Sequence, residues 1–341
     1  MKIEVEIYEI YRDIFVSPSR EAVELALEYG YLPYMVQRYI DLLGYEEARS
    51  LLEAMEKPVF PVVRTNTLLI KPIDLKRRLS SLGFELVEIS WSPDSFWVYR
   101  QPSSPTIGAT HEYLKGFYYV HRDASSLLPV HLLLHDYSGD VLDACAAPGG
   151  KATYIAQVLK TRGGVVYAND LVLYRLRALL GHVMRMKLDN VIIMWSDARK
   201  LRDRLNREFD RVLLDAPCSG EGRIAVDPGR KSRTSIADLA IMVKREIELL
   251  YSLLDLTRRG GLLVYVTCSI APEENEFVVN TVLKSRGDFE VIEPPVELLH
   301  YSKGVTEYRH LKFAPELENC IRLWPHIHRL FGYTICLLRK K

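Results

Sequence analysis

The chain has 341 residues, 48% of them hydrophobic, and its 45 Lys and Arg against 44 Asp and Glu give a formal charge of +1. That length holds one large domain and a smaller one, and the composition is that of a globular protein. Near-neutrality excludes a globally basic nucleic-acid coat, although residues 199–211 and 223–233 form local basic segments.

Residues 17–57 carry a helical pattern: Ser19 can cap, and Ala22, Leu25, Ala26 and Tyr29 recur at i, i+3, i+4 and i+7 until Tyr31-Leu32-Pro33 breaks the run. A second amphipathic run covers 35–43. Residues 62–69 read as a strand, 73–82 as a helix and 84–89 as a strand, which together predict a small α+β unit. Pro102-Ser103-Ser104-Pro105, followed by Gly108, is turn-rich and marks a boundary. The expected division is therefore a helical segment at 1–57, the small unit at 58–107 and a large domain at 108–341. In the last, strand signals at 141–142, 164–168, 191–194, 212–214, 262–266, 289–292 and 333–338 alternate with helix signals at 151–159, 171–186, 199–205, 236–256 and 273–283. Such alternation predicts a doubly wound α/β fold, a parallel sheet with helices on both faces.

In that architecture ligands bind at the carboxyl ends of the strands, and the first strand-to-helix turn contributes most. Here the turn runs from Asp143 and Ala144 through Cys145, Ala146, Ala147, Pro148, Gly149, Gly150 and Lys151. Its small residues let a ligand approach the backbone, and the glycines permit dihedrals a side chain forbids. It is not the G-x-G-x-x-G of pyrophosphate binding, so a dinucleotide is disfavoured. Asp170 ends the second strand, where a carboxylate can accept both ribose hydroxyls, and Asp197 follows the third, where it can accept from an adenine amino group. Each aspartate alone is better read as a helix cap or a solvated charge. Three successive acidic strand ends fit S-adenosylmethionine better than NAD.

The five cysteines (Cys145, Cys218, Cys268, Cys320 and Cys336) are odd in number and include no C-x-x-C pair, so neither a disulfide framework nor a zinc cluster is expected, and all are read as free thiols. Cys218, in Asp215-Ala216-Pro217-Cys218, follows the fourth strand, and Cys268, in Thr267-Cys268-Ser269, follows the fifth. Two thiols at adjacent strand ends can face one pocket, with Asp215 beside them. This suits methylation at carbon 5 of cytosine, which is too electron-poor to take a methyl group until a thiolate adds at carbon 6, while a carboxylic acid at N3 stabilises the adduct. Cys145, Cys320 and Cys336 read as small buried hydrophobes.

These segments, with Glu273-Glu274-Asn275-Glu276, Arg64-Thr65-Asn66-Thr67, residues 108–129 and 322–332 with Pro325-His326, resemble the Sun/Nop family of RNA 5-methylcytosine methyltransferases over nearly the whole chain. The resemblance implies a class I, Rossmann-like methyltransferase domain using S-adenosylmethionine and an RNA-recognition-like N-terminal unit. It implies that Cys268 is the covalent nucleophile and Cys218 assists product release, an order the residues alone leave open and the analogy with DNA enzymes would reverse. By the same resemblance Lys151 and Asp215 border the target base, Asp215 also reaching the cofactor, while the 145–151 loop, Asp170, Arg175 and Asp197 hold the cofactor. Ala152 departs from the family's common Thr, and residues 67–108 leave no room for the extra RNA-binding domain that some relatives insert.

A base must be unstacked for carbon 6 to be reached, so the expected partner is RNA in single-stranded, looped or flipped form. Arg223, Arg230, Lys231 and Arg233 are candidates for phosphate contacts or, as readily, a solvated loop. His131 with His135, and His326 with His328, have metal-pair spacing but no third ligand, so no metal is expected. Transfer RNA is favoured over ribosomal RNA because the chain is compact, and no obligate protein partner is evident. No basic-then-apolar leader opens the sequence, and stretches such as 262–266 fall far short of the about 20 residues that cross a bilayer, so no membrane and a cytoplasmic address are expected. Scarce glutamine (Gln37, Gln101 and Gln157) predicts a thermophilic source, because amides deaminate when hot. The competing reading is a non-catalytic RNA-binding or assembly protein that retains the fold.

Overall fold

Ser19 caps as its position predicts: its hydroxyl accepts from the Ala22 amide at 3.2 Å, and helix α2 (Arg20–Tyr29) follows α1 (Ile7–Ile14), which the hydrophobic pattern did not reveal. Pro33 opens α3 (Pro33–Leu43) at a position where the missing amide costs nothing, and α4 (Tyr45–Met55) completes the helical segment. This computed structural model describes residues 6–295 and 298–341. It divides into two compact units, one made of Met1–Pro58, Leu214–Pro294 and His300–Lys341, the other of Val59–Leu213 and Pro295–Leu299.

In the first unit the amino-terminal helices do not stand apart. Leu25, Met35, Tyr39, Leu51 and Leu52 share a core with Ile224, Ile270 and Trp324, so residues nearly 300 positions away in sequence close over the same apolar stripe. Each fully buried large aliphatic side chain there contributes about 1.5–3 kcal/mol. Buried ion pairs reinforce the join, for Arg38 of α3 reaches Glu221 at 2.6 Å and Glu273 at 2.9 Å with both partners out of solvent.

The second unit begins with β1 (Val62–Thr65), α5 (Pro72–Ser81), β2 (Glu85–Ile89), β3 (Ser92–Arg100) and β4 (Tyr118–His121), an antiparallel sheet in the order β2-β3-β1-β4. β1 stops four residues short of the expected strand because Asn66 turns the chain, its side-chain amide donating to the carbonyls of Gly116 and Met186. Pro93 near its start hid β3 from the periodicity. The boundary expected at residue 108 is corrected: β4, beyond that turn, pairs with β1 through Val62–His121 to Thr65–Tyr118, and the backbone ladder outweighs the turn signal.

The same unit continues with β5 (Val141–Asp143), α6 (Gly150–Arg162), β6 (Val166–Asp170), α7 (Leu173–Arg185), β7 (Val191–Trp195) and the first part of β8 (Phe209–Asp215). β5 pairs in parallel with β6 and β8, and β6 with β7, which is the expected winding. Leu214 and Asp215 at the end of β8 belong to the first unit, where the next residue, Ala216, donates its amide to Val266.

Back in the first unit, α8 (Ile236–Leu254) starts with a capping box between Ser235 and Asp238, and β9 (Thr257–Thr267), α9 (Glu276–Ser285), β10 (Phe289–Val291), β11 (Ile321–Leu323) and β12 (Tyr333–Lys340) follow. The expectation of a wholly parallel sheet is corrected here, since β12 runs antiparallel to β9, β10 and β11. Alternation of elements does not encode direction: a chain returning from the end of β9 can lie back beside it. The reading of five free thiols is also corrected. Cys320 and Cys336 form a disulfide, because β11 and β12 are paired and bring the two side chains together across a sequence separation of 16. Among the described residues, no helix is long and apolar enough to cross a membrane.

Candidate active site

The sequence-predicted residues fall into two groups. Cys145, Ala146, Ala147, Pro148, Gly149, Gly150, Lys151, Asp170, Arg175 and Asp197 lie in the second unit, and Asp215, Cys218 and Cys268 in the first.

In the second unit the turn after β5 is stitched to its neighbours by its backbone. Ala144 N donates to Leu213 O at 2.9 Å and Ala146 N to Asn169 O at 2.7 Å. Gly149 sits at φ +113°, and a Cβ there would come within 2.7 Å of Leu179 Cδ1, so both conformation and space demand glycine. Thr153 then bonds back to Gly149 O at 2.6 Å and fixes the start of α6. Lys151, in the first turn of that helix, is largely buried.

Asp170 closes β6 with its side chain 3% exposed. It accepts from the amides of Val172 at 2.9 Å and Ala147 at 3.1 Å, with Arg175 at 3.6 Å. Arg175 also bonds to the carbonyl of Ala147, so the pair locks the turn from both sides. A carboxylate has about four acceptor positions, and the two amide bonds leave capacity for a ribose diol. Asp197 follows β7 as a cap on Arg199 N, and its carboxylate holds the Arg199 guanidinium at 2.7 Å. That hydrogen bond, against some burial, keeps Asp197 below the usual carboxylate range. Asn169 went unnoticed in the sequence, yet its side-chain amide donates to Ala144 O and Ser196 O at 3.0 Å each and ties three strand ends together.

In the first unit Asp215 ends β8, and the loop beyond it carries Cys218 to within 3.5 Å, sulfur to sulfur, of Cys268 at the end of β9. Both thiols are partly buried, as is Cys145 in the other unit. Glu274 positions the first loop by accepting from both Ser219 N and Ser219 Oγ at 2.6 Å. Gly222 N donates to Cys268 O at 3.0 Å and its own carbonyl accepts from Gly332 N at 3.0 Å. A Cβ on Gly222 would lie 2.0 Å from Gly332 O, so this crossing admits no side chain. Asn275 braces the second loop, accepting from Thr267 Oγ1 at 2.6 Å and donating to the carbonyls of Ser269 and Ala271. The hydrogen bond shared with Cys268, then burial and the nearby charges of Cys268, Glu274 and Glu246, push the Cys218 thiol well up. Glu246 and the role of Glu274 were not legible in the sequence, because only the fold brings α8 against the two loops.

The basic loop after Cys218 serves the fold. Arg230 bonds to Ser219 O and pairs with Asp227 at 3.1 Å, Arg233 pairs with Asp227 at 3.1 Å, and Lys231 meets Glu56 at 2.6 Å and Tyr29 O at 3.0 Å. The histidines of metal-pair spacing are engaged singly: His131 with Ser92 and Tyr154, His326 with Glu47, His328 with the Trp324 backbone.

Four parallel strands, the small-residue turn after the first of them and the acidic end of the second define the class I, Rossmann-like methyltransferase fold, preceded by an α+β amino-terminal domain. Residues 130–339 match the family model for the 16S rRNA methyltransferase RsmB/F, and residues 32–121 match that for the N-terminal domain of the 16S rRNA methyltransferase RsmF. The chain belongs to this family, as the motif resemblance implied. It is 39% identical over 327 residues to the 28S rRNA (cytosine(4447)-C(5))-methyltransferase of Homo sapiens, covering 94% of this chain and 39% of the relative. With the ribosomal RNA small subunit methyltransferase F of Serratia proteamaculans it shares 33% identity over 291 residues, 85% of this chain and 59% of the relative. The chain thus spans about two fifths of the human relative and three fifths of the bacterial one. Its fold superposes with a TM-score of 0.82 on the crystal structure of a methyltransferase homolog protein from Pyrococcus horikoshii, at 35% identity, covering 95% of this chain and all of that one.

Proposed function

We propose that the protein is an S-adenosylmethionine-dependent methyltransferase that adds a methyl group to carbon 5 of a cytosine in ribosomal RNA. The observation that carries this reading is the pair of thiols 3.5 Å apart at two strand ends, in a member of a family whose relatives bear the names of rRNA cytosine-C5 methyltransferases. The preference for transfer RNA rested on compactness alone, and the relatives' names favour ribosomal RNA instead. A cytoplasmic location belongs to the same reading.

Bound at the 145–151 turn and Asp170, the cofactor would supply an electrophilic methyl group. Asp170, with acceptor capacity left after its two amide bonds, would take the ribose hydroxyls, Arg175 would hold that carboxylate in place, and Asp197 would accept from adenine once the Arg199 guanidinium, 39% exposed, swings aside. Lys151 would border the target base.

Cys268 Sγ would add at carbon 6, so that the former C5–C6 π pair makes carbon 5 nucleophilic while Asp215 lends a proton to N3. After methyl transfer the carbon 5 proton must leave, its bonding pair reforming C5=C6 as the C6–S bond breaks. Cys218, 3.5 Å from the departing sulfur, would hand it a proton and take the one lost from carbon 5, and N3 would return its proton to Asp215. Both sulfurs then end protonated and the base neutral, and Cys268 returns to the attacking thiolate by giving its proton to solvent.

The test is a denaturing gel of the protein with ribosomal RNA and cofactor. Cys218→Ala should accumulate a boiling-resistant protein–RNA band that requires cofactor, and Cys268→Ala should give neither band nor methylated RNA while still binding RNA. The reverse pattern would assign the attack to Cys218, and methylation surviving in Cys268→Ala would refute the covalent route.

A further inference from the structure

Two equivalent thiols 3.5 Å apart have no reason to divide labour, so their surroundings must break the symmetry. On the Cys218 side, Ser219 gives both its amide and its hydroxyl to Glu274 at 2.6 Å, which fixes a carboxylate one residue from the sulfur. Behind it, on α8, Glu246 is wholly buried and neither of its carboxyl oxygens receives a hydrogen bond from a donor group. Its carboxyl meets that of Glu274, and two carboxyl groups can share a hydrogen bond only when one of them carries a proton. Burial first, then the charge of Glu274 and the bond to it, favour the proton on Glu246, while both oxygens of Glu274 accept from Ser219.

On the Cys268 side the neighbour is a cation. Arg223 is hydrogen-bonded to Cys268 and interacts with that sulfur more strongly than with Cys218; burial, the largest single influence, would lower its pKa, but Cys268, Tyr333 and Cys218 together raise it. Several other charged groups of this unit near the pair are already matched. Glu221 and Glu273 share Arg38, Glu276 holds Arg322 at 2.5 Å, and Arg230 is spent on Ser219 O and Asp227. Tyr265 donates its hydroxyl to Glu274 O, Tyr333 lies beside Arg223, and Arg245 opposes Glu246 from the same helix.

We propose that unlike charges assign the two sulfurs their roles: Glu274, braced by protonated Glu246, keeps Cys218 as the thiol, and Arg223 keeps Cys268 as the thiolate. In the methyltransferase reading above, on which this rests, the thiolate attacks carbon 6 while the thiol stays charged with the proton it gives to the departing sulfur. Glu274, Glu246 and Arg223 are positioning residues that act through the cysteines.

The experiment needs neither RNA nor turnover. Iodoacetamide alkylation of each cysteine in the full chain is followed against pH by peptide mass spectrometry, with and without S-adenosylmethionine. In the wild type Cys268 should react ahead of Cys218 near neutral pH by about tenfold for each pH unit that separates their titrations. Glu274→Gln, which keeps an acceptor for Ser219 but loses the charge, should move the Cys218 profile to lower pH. Arg223→Gln should move the Cys268 profile to higher pH. Glu246→Gln, still a neutral donor toward Glu274, should leave both profiles in place. Cys218 reacting first in the wild type would overturn the proposal, and so would profiles unmoved by both Glu274→Gln and Arg223→Gln. A protein that keeps this order of reactivity but methylates no RNA would count against the methyltransferase reading and leave the charge assignment standing.

Discussion

Asp170 serves the fold and, in the proposed function, the ligand with one carboxylate: two amides and Arg175 consume part of its capacity, and the rest faces the ribose. Asp170→Ala should therefore weaken S-adenosylmethionine binding by about 2 kcal/mol, or roughly thirtyfold, as read by titration calorimetry, and an unchanged affinity would remove it from the cofactor's partners. Glu246 makes a prediction of opposite character. Its carboxyl, held above the usual range by burial and then by Glu274, binds a proton more tightly in the folded chain than in the unfolded one. A group so shifted stabilises fully below its unfolded pKa of about 4.3, and the contribution is lost as pH rises through the folded value. Glu246→Gln cannot ionise, so its Tm should gain on the wild type as the pH is raised from about 4 to about 8. A Tm difference that does not change with pH would mean that Glu246 is ionised in the fold.

Between elements, Arg38 links α3 to Glu221 and Glu273, the residues that flank the two thiol loops. Arg38→Met would strand two buried carboxylates, and removing one partner of such a network costs about 3–5 kcal/mol. Urea denaturation should show that loss, and Arg38→Met combined with Glu221→Gln and Glu273→Gln should recover part of it. A full-strength Arg38→Met protein would mean that water reaches these carboxylates. Element identity was legible wherever local chemistry decides it: Ser19 and Pro33 set helix starts, and the predicted helices at 73–82, 151–159 and 171–186 lie within a few residues of those observed. Strands were legible less often. β3 opens with Ser92-Pro93, and β4 follows a turn-rich segment, so both depend on pairing partners that no local pattern records.

For the whole molecule, the Cys320–Cys336 bridge closes a loop of 16 residues between paired strands. A loop of that length is worth about 3 kcal/mol in the chain-entropy account, so reduction should lower the unfolding free energy by that much, read as a fall in the urea midpoint, and should add Cys320 and Cys336 to the titratable thiols Cys145, Cys218 and Cys268. An unchanged midpoint after verified reduction would show that strand pairing alone holds these residues.

The sequence by itself determined the class of fold, the small-residue turn at 145–151 and the strand-end positions of Cys218 and Cys268, because each is carried by a contiguous segment whose residue types have few other uses: small residues and glycines at a strand end, Pro-Cys and Thr-Cys at two others. Tertiary structure alone decided what surrounds them. The antiparallel direction of β12, the disulfide, the shared core of the amino-terminal helices with Ile224, Ile270 and Trp324, and the meeting of Glu246, Glu274 and Arg223 around two sulfurs all join residues far apart in the chain. Their physical cause is long-range packing and the low dielectric it creates, under which a buried carboxyl keeps its proton and an adjacent guanidinium stabilises a thiolate. Neither effect leaves a mark on local periodicity, so neither could be read before the chain was folded.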